Sequence, residues 1–225
     1  MAIQTRAHAM LSMTSALGPD ALIPTSLTAR EAISQPFEFM VKAVCQKGLV
    51  DPNQLLYQPA CVTLGGAQGP VRYFHGIVQS LTAEGDVLSH DGEDLHAYQL
   101  RLVPRLWFLG QTVDCRVHQN MSVADILQRM FSDAHITDLQ VIPSGAKREY
   151  TVQFNESDLH FATRLMEEEG YFYFFQHSAN SHKLIIANEN SAFQNIPGAT
   201  LRLQGPGDSS TLVVGWTRPT GTTRG

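Results

Sequence analysis

The chain has 225 residues, enough for one large domain or two small ones around a sizeable core. Its 16 basic and 21 acidic residues make 16% of the chain, against about 25% in an ordinary soluble domain, and leave a net charge of −5. That balance gives no basic footprint for nucleic acid or anionic lipid, and an apolar fraction of 43% does not suit a disordered chain. Sparse charge has two readings: a surface covered by other chains, or one solvated by Ser, Thr, Gln and Asn. The longest apolar run, Tyr171 to Phe175, is far short of the roughly 20 residues a membrane-spanning helix needs. Arg6, His8, Ser12, Thr14 and Ser15 interrupt any signal-peptide-like stretch, so the general export route is not expected. Cys45, Cys61 and Cys115 are widely spaced with no Cys-x-x-Cys, which predicts buried, reduced thiols.

Strands come first. Phe37, Phe39, Val41, Ala43 and Cys45 alternate with Glu38 and Lys42, the period of a half-buried strand. Asp51-Pro52-Asn53 starts a short helical turn through Leu55 and Leu56. Cys61 to Leu64 and Val71 to Leu81 read as strands, with a tight turn at Ala83-Glu84-Gly85-Asp86. His96 to Val103 follows, alternating Tyr98, Leu100 and Leu102 with Gln99 and Arg101. Many strands with glycine turns and no alternating helices predict an antiparallel barrel or sandwich.

Two helices then interrupt the strands. Ser122 to Asp125 has capping-box form, and Val123, Ile126, Leu127, Met130 and Phe131 keep the spacing of one buried stripe. The second helix starts near Ser157-Asp158, turns Leu159, Ala162, Leu165 and Met166 inward, and stops at Gly170. Between them Tyr150 to Phe154 is another alternating strand. Beyond Gly170, Tyr171 to Gln176 and Lys183 to Ala187 read as a hairpin around the polar loop His177 to His182. Ala199 to Leu203 and Leu212 to Trp216 add two more strands, ahead of a tail rich in Gly, Thr and Pro.

Catalytic chemistry is weakly signalled. His90-Asp91-Gly92-Glu93-Asp94-Leu95-His96 gathers histidines and acids but matches no standard ligand spacing, and Gly92 among acids suits a solvated turn. Ser144-Gly145-Ala146-Lys147 has the spacing of a serine–lysine pair, but Pro143 and Gly145 oppose the helix that would join them, and the companion motifs are missing. Asn120-Met121-Ser122 and Asn155-Glu156-Ser157 spell glycosylation sequons, yet both fall at helix starts, where capping accounts for them. One placement is unusual. Glu167, Glu168 and Glu169 end a helix, where the macrodipole disfavours negative charge, and Arg164 offsets only part of this. Either an arginine of a neighbouring element or chain faces them, or the helix end is simply solvated.

The stretch Tyr98-Gln99-Leu100-Arg101-Leu102-Val103-Pro104-Arg105-Leu106-Trp107-Phe108-Leu109 resembles the Y-x-L-x-L-x-P-x-L-W-x-L segment of the VgrG family, the tip proteins of bacterial type VI secretion systems. Cys115 to Val123 resembles that family's R-I-F-Q-N-x-S-V segment, with His118 in place of the aromatic. Val152-Gln153-Phe154-Asn155-Glu156-Ser157-Asp158, continuing into Arg164-Leu165-Met166-Glu167-Glu168-Glu169-Gly170, is similar to Q-Y-x-E-S-D-x-x-F-x-x-R-L-x-E-E-E-G. Pro36 to Phe39 and Phe74 to Val78 resemble markers of its first barrel. The motifs occur in order between about Leu27 and Leu203.

This resemblance implies a mainly β fold with helices (α+β), like a contractile phage tail hub: two related antiparallel β-barrels with intervening helices, incomplete at the C-terminus. It divides the chain into a first barrel (1–110), a connector with two helices and a strand (111–169) and a partial second barrel (170–225). It implies a structural, non-enzymatic role without cofactor or metal. The partners implied are two sister chains in a homotrimer, the hexameric tube protein, effector or adaptor proteins, and a C-terminal spike with its tip-sharpening protein. It also implies synthesis in the bacterial cytoplasm and secretion without a signal peptide. Arg105 and Trp107 are expected to anchor the first barrel against the helical region. Arg116, Gln153, Asp158, Arg164, Glu167, Glu168, Glu169 and Gly170 are expected to make polar or structural contacts within the chain or across the trimer. A phage tail hub, or a metal-dependent hydrolase using His90 to His96, are the alternatives.

Overall fold

The computed structural model describes residues 11–193 apart from 20, 47–48, 67–68, 89–93 and 142–144. The strands expected at Ala199–Leu203 and Leu212–Trp216, most of the His90–His96 cluster, and Ser144 lie outside the described residues. The chain divides into two compact units, Met1–Asn188 and Glu189–Gly225. In the second unit the described residues are Glu189–Phe193, with a 3-10 turn at Asn190–Ala192.

The first unit opens with a seven-stranded sheet. Its strands are β1 (Leu11–Ser15), β2 (Gly18–Pro19), β3 (Ile23–Ala32), β4 (Gln35–Cys45), β5 (Pro59–Gly66), β6 (Gly69–Leu88) and β7 (Asp94–Val103), in the spatial order β2-β1-β5-β6-β7-β4-β3. Every pairing in it is antiparallel. The sheet curls so that β1 also meets β3, and its inner face closes on one apolar interior. The period-two pattern of β4 explains this directly: Phe37, Phe39, Val41, Ala43 and Cys45 are all buried there. A single helical turn, α1 (Pro52–Leu55), is N-capped by the Asp51 side chain, which accepts from Asn53 N–H at 3.0 Å, and buries Leu55.

The turn expected at Ala83 to Asp86 is not a turn. β6 runs through it, and the register against β7 slips between Ala83 and Gly85. Gly85 sits at φ +104°, so a glycine that reads as a turn in sequence instead absorbs a β-bulge inside a long strand.

A second core lies beside the sheet. A 3-10 segment, Arg105–Gln111, inserts Leu106 and Leu109 into it. α2 (Val123–Asp133) buries the predicted stripe, and Ser122 and Asp125 form the capping box, with Ser122 Oγ accepting from Asp125 N–H at 3.2 Å. α3 (Asp158–Glu168) contributes Phe161, Ala162, Leu165 and Met166. β8 (Val113–Met121) and β10 (Arg148–Ser157) form a two-stranded antiparallel ribbon. The third sheet has the order β11-β12-β9, from β11 (Phe172–His177), β12 (His182–Ala187) and β9 (Leu139–Val141), with β9 parallel to β12. Phe175 of β11 packs against both cores, and Ser34 N–H donates to Tyr173 C=O at 2.8 Å across the seam. The cysteines are free, but only Cys45 and Cys61 are buried. Cys115, on the outer side of β8, is exposed, because the strand that carries it is apolar outward.

Candidate assembly surface

β10 reads as a half-buried strand, and it is one, with its faces reversed. Thr151 and Gln153 are buried, whereas Tyr150, Val152 and Phe154 face outward, Phe154 being 77% exposed. β8 continues the pattern, with His118 inward and Val113 and Val117 outward. Val152 pairs directly with Val117 and Tyr150 with Gln119, so these side chains share one outer face. The ribbon therefore carries polar side chains towards the second core and a strip of large apolar ones away from it. A one-sided antiparallel sheet normally does the opposite.

The inner side chains explain the reversal. Gln153 is fully buried and donates through Nε2 to Asp158 Oδ1 at 2.7 Å and to the Glu156 carbonyl at 3.0 Å. Asp158 is the first residue of α3, whose N-cap, Ser157, accepts from His160 N–H. The Arg116 guanidinium lies 3.8 Å from Asp158 Oδ2 while its Nε donates to Asp114 at 2.8 Å. The Cys115 N–H and then Arg116 hold the Asp114 carboxyl below its usual range. The His118 ring stacks on Phe161, and burial, then Arg129 and Arg116, lower its pKa, so it is neutral at pH 7. A slip in register between Gln153 and Glu156, with Asn155 at φ +49°, ends the alternation and turns the chain into α3.

The glutamates at the end of α3 meet arginines of this same chain. Arg148, on β10, lies 2.5 Å from Glu168 and 2.6 Å from Glu169. Arg164 bonds Glu168 one turn away at 2.9 Å, Glu156 at 2.6 Å and the Val152 carbonyl at 3.1 Å, and its guanidinium lies over the Phe161 ring. Glu167 is exposed, with no ion pair among the described residues. Gly170, at φ +70°, completes a Schellman cap: its N–H donates to Glu167 C=O, and Tyr171 N–H donates to Met166 C=O at 2.7 Å. Arg148 carried no sequence signal as the partner, because it is distant in sequence and reaches the helix only through the β8–β10 pairing.

Arg105 is exposed and meets the third sheet through its main chain, donating to His182 Nε2 at 3.1 Å. Trp107 is half-buried and packs edge-on against Phe108, whose ring meets Tyr57. The buried contacts of this segment come from Leu106 and Leu109, which stand in the quoted motif but are given no role there. His96 Nδ1 faces Asp86 Oδ1 at 2.6 Å on the surface. Among the described residues no group of three or more His, Cys, Asp or Glu side chains converges on a metal position, and no helix is long and apolar enough to cross a membrane.

The described residues thus combine a curled antiparallel sheet, a helical second core and a ribbon with an outward apolar face. The chain belongs to the phage tail baseplate hub (GPD) family, whose model matches residues 30–223. It is 34% identical over 199 residues to the type VI secretion system spike protein VgrG1b of Pseudomonas aeruginosa, and 36% identical over 184 residues to VgrG5 of the same organism. These alignments cover 88% and 79% of the chain but 26% and 22% of the relatives, so the chain spans about a quarter of their length. In three dimensions it is similar to the E. coli c3393 protein, a component of the type VI secretion system, with a TM-score of 0.68 at 23% identity over 77% of this chain and 48% of that one. It also resembles the 43 kDa tail protein of prophage MuSo2 from Shewanella oneidensis, with a TM-score of 0.53 at 12% identity over 79% of this chain and 53% of that one. Both likenesses are of fold.

Proposed function

We propose that this chain is the hub part of a type VI secretion tip, a structural component and not an enzyme. In this reading three copies form a ring above the hexameric tube. The ring carries a spike with its tip-sharpening protein and moves effector or adaptor proteins outward when the machine fires. The chain is made in the cytoplasm and leaves with the tip. Residues 1–110 act as the first barrel, 111–169 as the connector and 170–225 as part of the second barrel.

The observation that carries this reading is the outward apolar strip of the β8–β10 ribbon, from Val117 and Val152 to Phe154. Left in water it opposes solubility, and covered by a sister chain it supplies the apolar centre that subunit interfaces need. Arg116, Gln153 and Asp158 act beneath it as positioning residues that hold the strip outward. Arg148 and Arg164, with Glu168 and Glu169, brace β10 against α3, and Gly170 ends that helix. Arg105 and Trp107 lie where the barrel and the helical core join.

The test is the mass of the full chain in solution, beside a Phe154→Asp variant. Wild-type chain is expected to form trimers at micromolar concentration, and the variant to remain monomeric with an unchanged Tm. A wild-type chain that is strictly monomeric, or a variant that assembles equally well, overturns the assignment of this face.

A further inference from the structure

His75 of β6, His177 of β11 and His182 of β12 meet at the seam between the curled sheet and the second core. His75 and His182 are buried, with their Nδ1 atoms 2.8 Å apart, and Arg105 N–H points at His182 Nε2 from 3.1 Å. A backbone N–H can only donate, so His182 Nε2 is the bare nitrogen and the ring proton sits on Nδ1. That proton fills the 2.8 Å contact. His75 Nδ1 is then the acceptor, and its own proton sits on Nε2. The result is a one-way chain of donors, from Arg105 to His182 to His75. A second proton on either ring would set two N–H groups against each other, at His182 Nε2 against Arg105 or at His75 Nδ1 against His182. The charged form thus loses a hydrogen bond as well as its hydration.

The surrounding groups act in the same direction for the most part. Burial, then the charges of His177 and Arg105, outweigh Asp138 and hold His75 down to about 4. Burial, then His75, His177 and Arg105, hold His182 down to about 3. His177 Nε2 lies 3.3 Å from Glu31 Oε1 on β3, and Glu31 also pairs with Arg72 of β6. β5 contributes the Cys61 thiol, and β4 only the Phe37 and Phe39 rings. A cleft of about 230 Å³, lined among others by His75, Arg105, Asp138, Ser181 and His182, gives protons a path to the pair.

We propose that the His75–His182 pair is a proton-sensitive latch that holds the β11–β12 hairpin to β6 and the 3-10 segment, and releases it in acid. Both rings bind protons more readily in the open seam, where their pKa returns to about 6.5, than in the closed one. The latch is therefore fully closed above that pH and weakens progressively as pH falls through the window down to about 3.

The test follows amide hydrogen exchange of the full chain between pH ~7 and ~4, corrected for intrinsic exchange. β11 and β12 are expected to lose protection at a higher pH than β4. In His182→Gln the amide keeps both bonds, accepting from Arg105 N–H and donating to His75 Nδ1, but has no site for a proton. Release in that variant should move about one pH unit lower and lose about one proton of steepness. Release at an unchanged pH and steepness overturns the latch. Should that variant fail to fold, ring titration of the wild-type chain by NMR decides. Rings silent until the hairpin opens support the latch, and rings titrating near ~6.5 within a protected hairpin overturn it.

Discussion

Gln153 donates to Asp158 at 2.7 Å with both side chains buried, and this bond ties β10 to the first turn of α3. It fixes which face of the ribbon looks inward, because a buried carboxylate needs a donor and Gln153 is the residue of β10 that supplies it. Gln153→Leu is expected to cost about 1–3 kcal/mol in urea unfolding, since it takes the donor from Asp158 Oδ1 and leaves only Arg116, 3.8 Å from the other oxygen. Adding Asp158→Leu should recover part of that loss. A single variant with wild-type stability would mean the bond does not position the ribbon.

The Arg148 bridge is partly exposed, so it is a brace of modest strength. Arg148→Met should cost less than about 1 kcal/mol, and less still at high salt. Glu167→Gln, which removes an unpaired charge from the negative end of the helix dipole, should stabilise by less than about 1 kcal/mol. A double-mutant cycle between Arg148→Met and Glu168→Gln measures the coupling, and a coupling insensitive to salt would contradict the screened pairing described above.

Acid should loosen the end of α3 as well. The Arg148 bond, then Arg164, outweigh burial and hold the Glu168 carboxyl below its usual 4.5, and Arg164 and His160 do the same for Glu156. Groups with lowered folded values stabilise above the ordinary carboxylate range and lose that contribution as pH falls through their folded values. Glu168→Gln should therefore flatten the acid limb of the stability curve below pH ~4.5. An unchanged limb would show that the bridge carries no proton linkage.

Gly76 is tightly packed. A Cβ there would stand 3.0 Å from Leu102 Cβ and 3.2 Å from both Phe37 Cε2 and the Val103 carbonyl. Gly76→Ala is expected to cost about 1–3 kcal/mol by thermal unfolding, because β6 must shift away from β7 and β4. A neutral substitution would mean that the sheet gives way more easily than its packing suggests.

Local pattern made much of the fold legible. β4 and α2 each carry their own periodicity, and Ser122, Ser157 and Gly170 mark helix ends through chemistry that acts over a few residues. What remained hidden depends on distance along the chain. Gly85 could be read as a turn because nothing nearby shows that β7 continues to pair beyond it. Period two in Tyr150 to Phe154 shows that the faces differ but not which one is buried. That choice is made by Asp158 and by packing on Phe161. Arg148 and the His75–His182 contact exist only once strands distant in sequence are paired. The ordered motifs from Tyr98 to Gly170 pointed to the hub family, whereas the free thiol expected to be buried at Cys115 followed the reversed ribbon outward.

β6 has a mechanical consequence. Its early residues pair with β5 and its later ones with β7, and Ile77 pairs with both Pro59 and Val103. At about 3.3 Å per residue its 20 residues span on the order of 60 Å. Ladder hydrogen bonds run across a strand, so a pull along β6 loads many of them together in shear instead of opening them one at a time. Force entering through β5 must cross the few bonds of main chain at Gly76-Ile77-Val78 to reach β7. The same point is pinned sideways, by Tyr57 N–H on the Val78 carbonyl and Val78 N–H on the Gln58 carbonyl. β6 is thus a tie-rod with a braced midpoint, which resists a pull along its own length better than a strand whose ladder opens bond by bond.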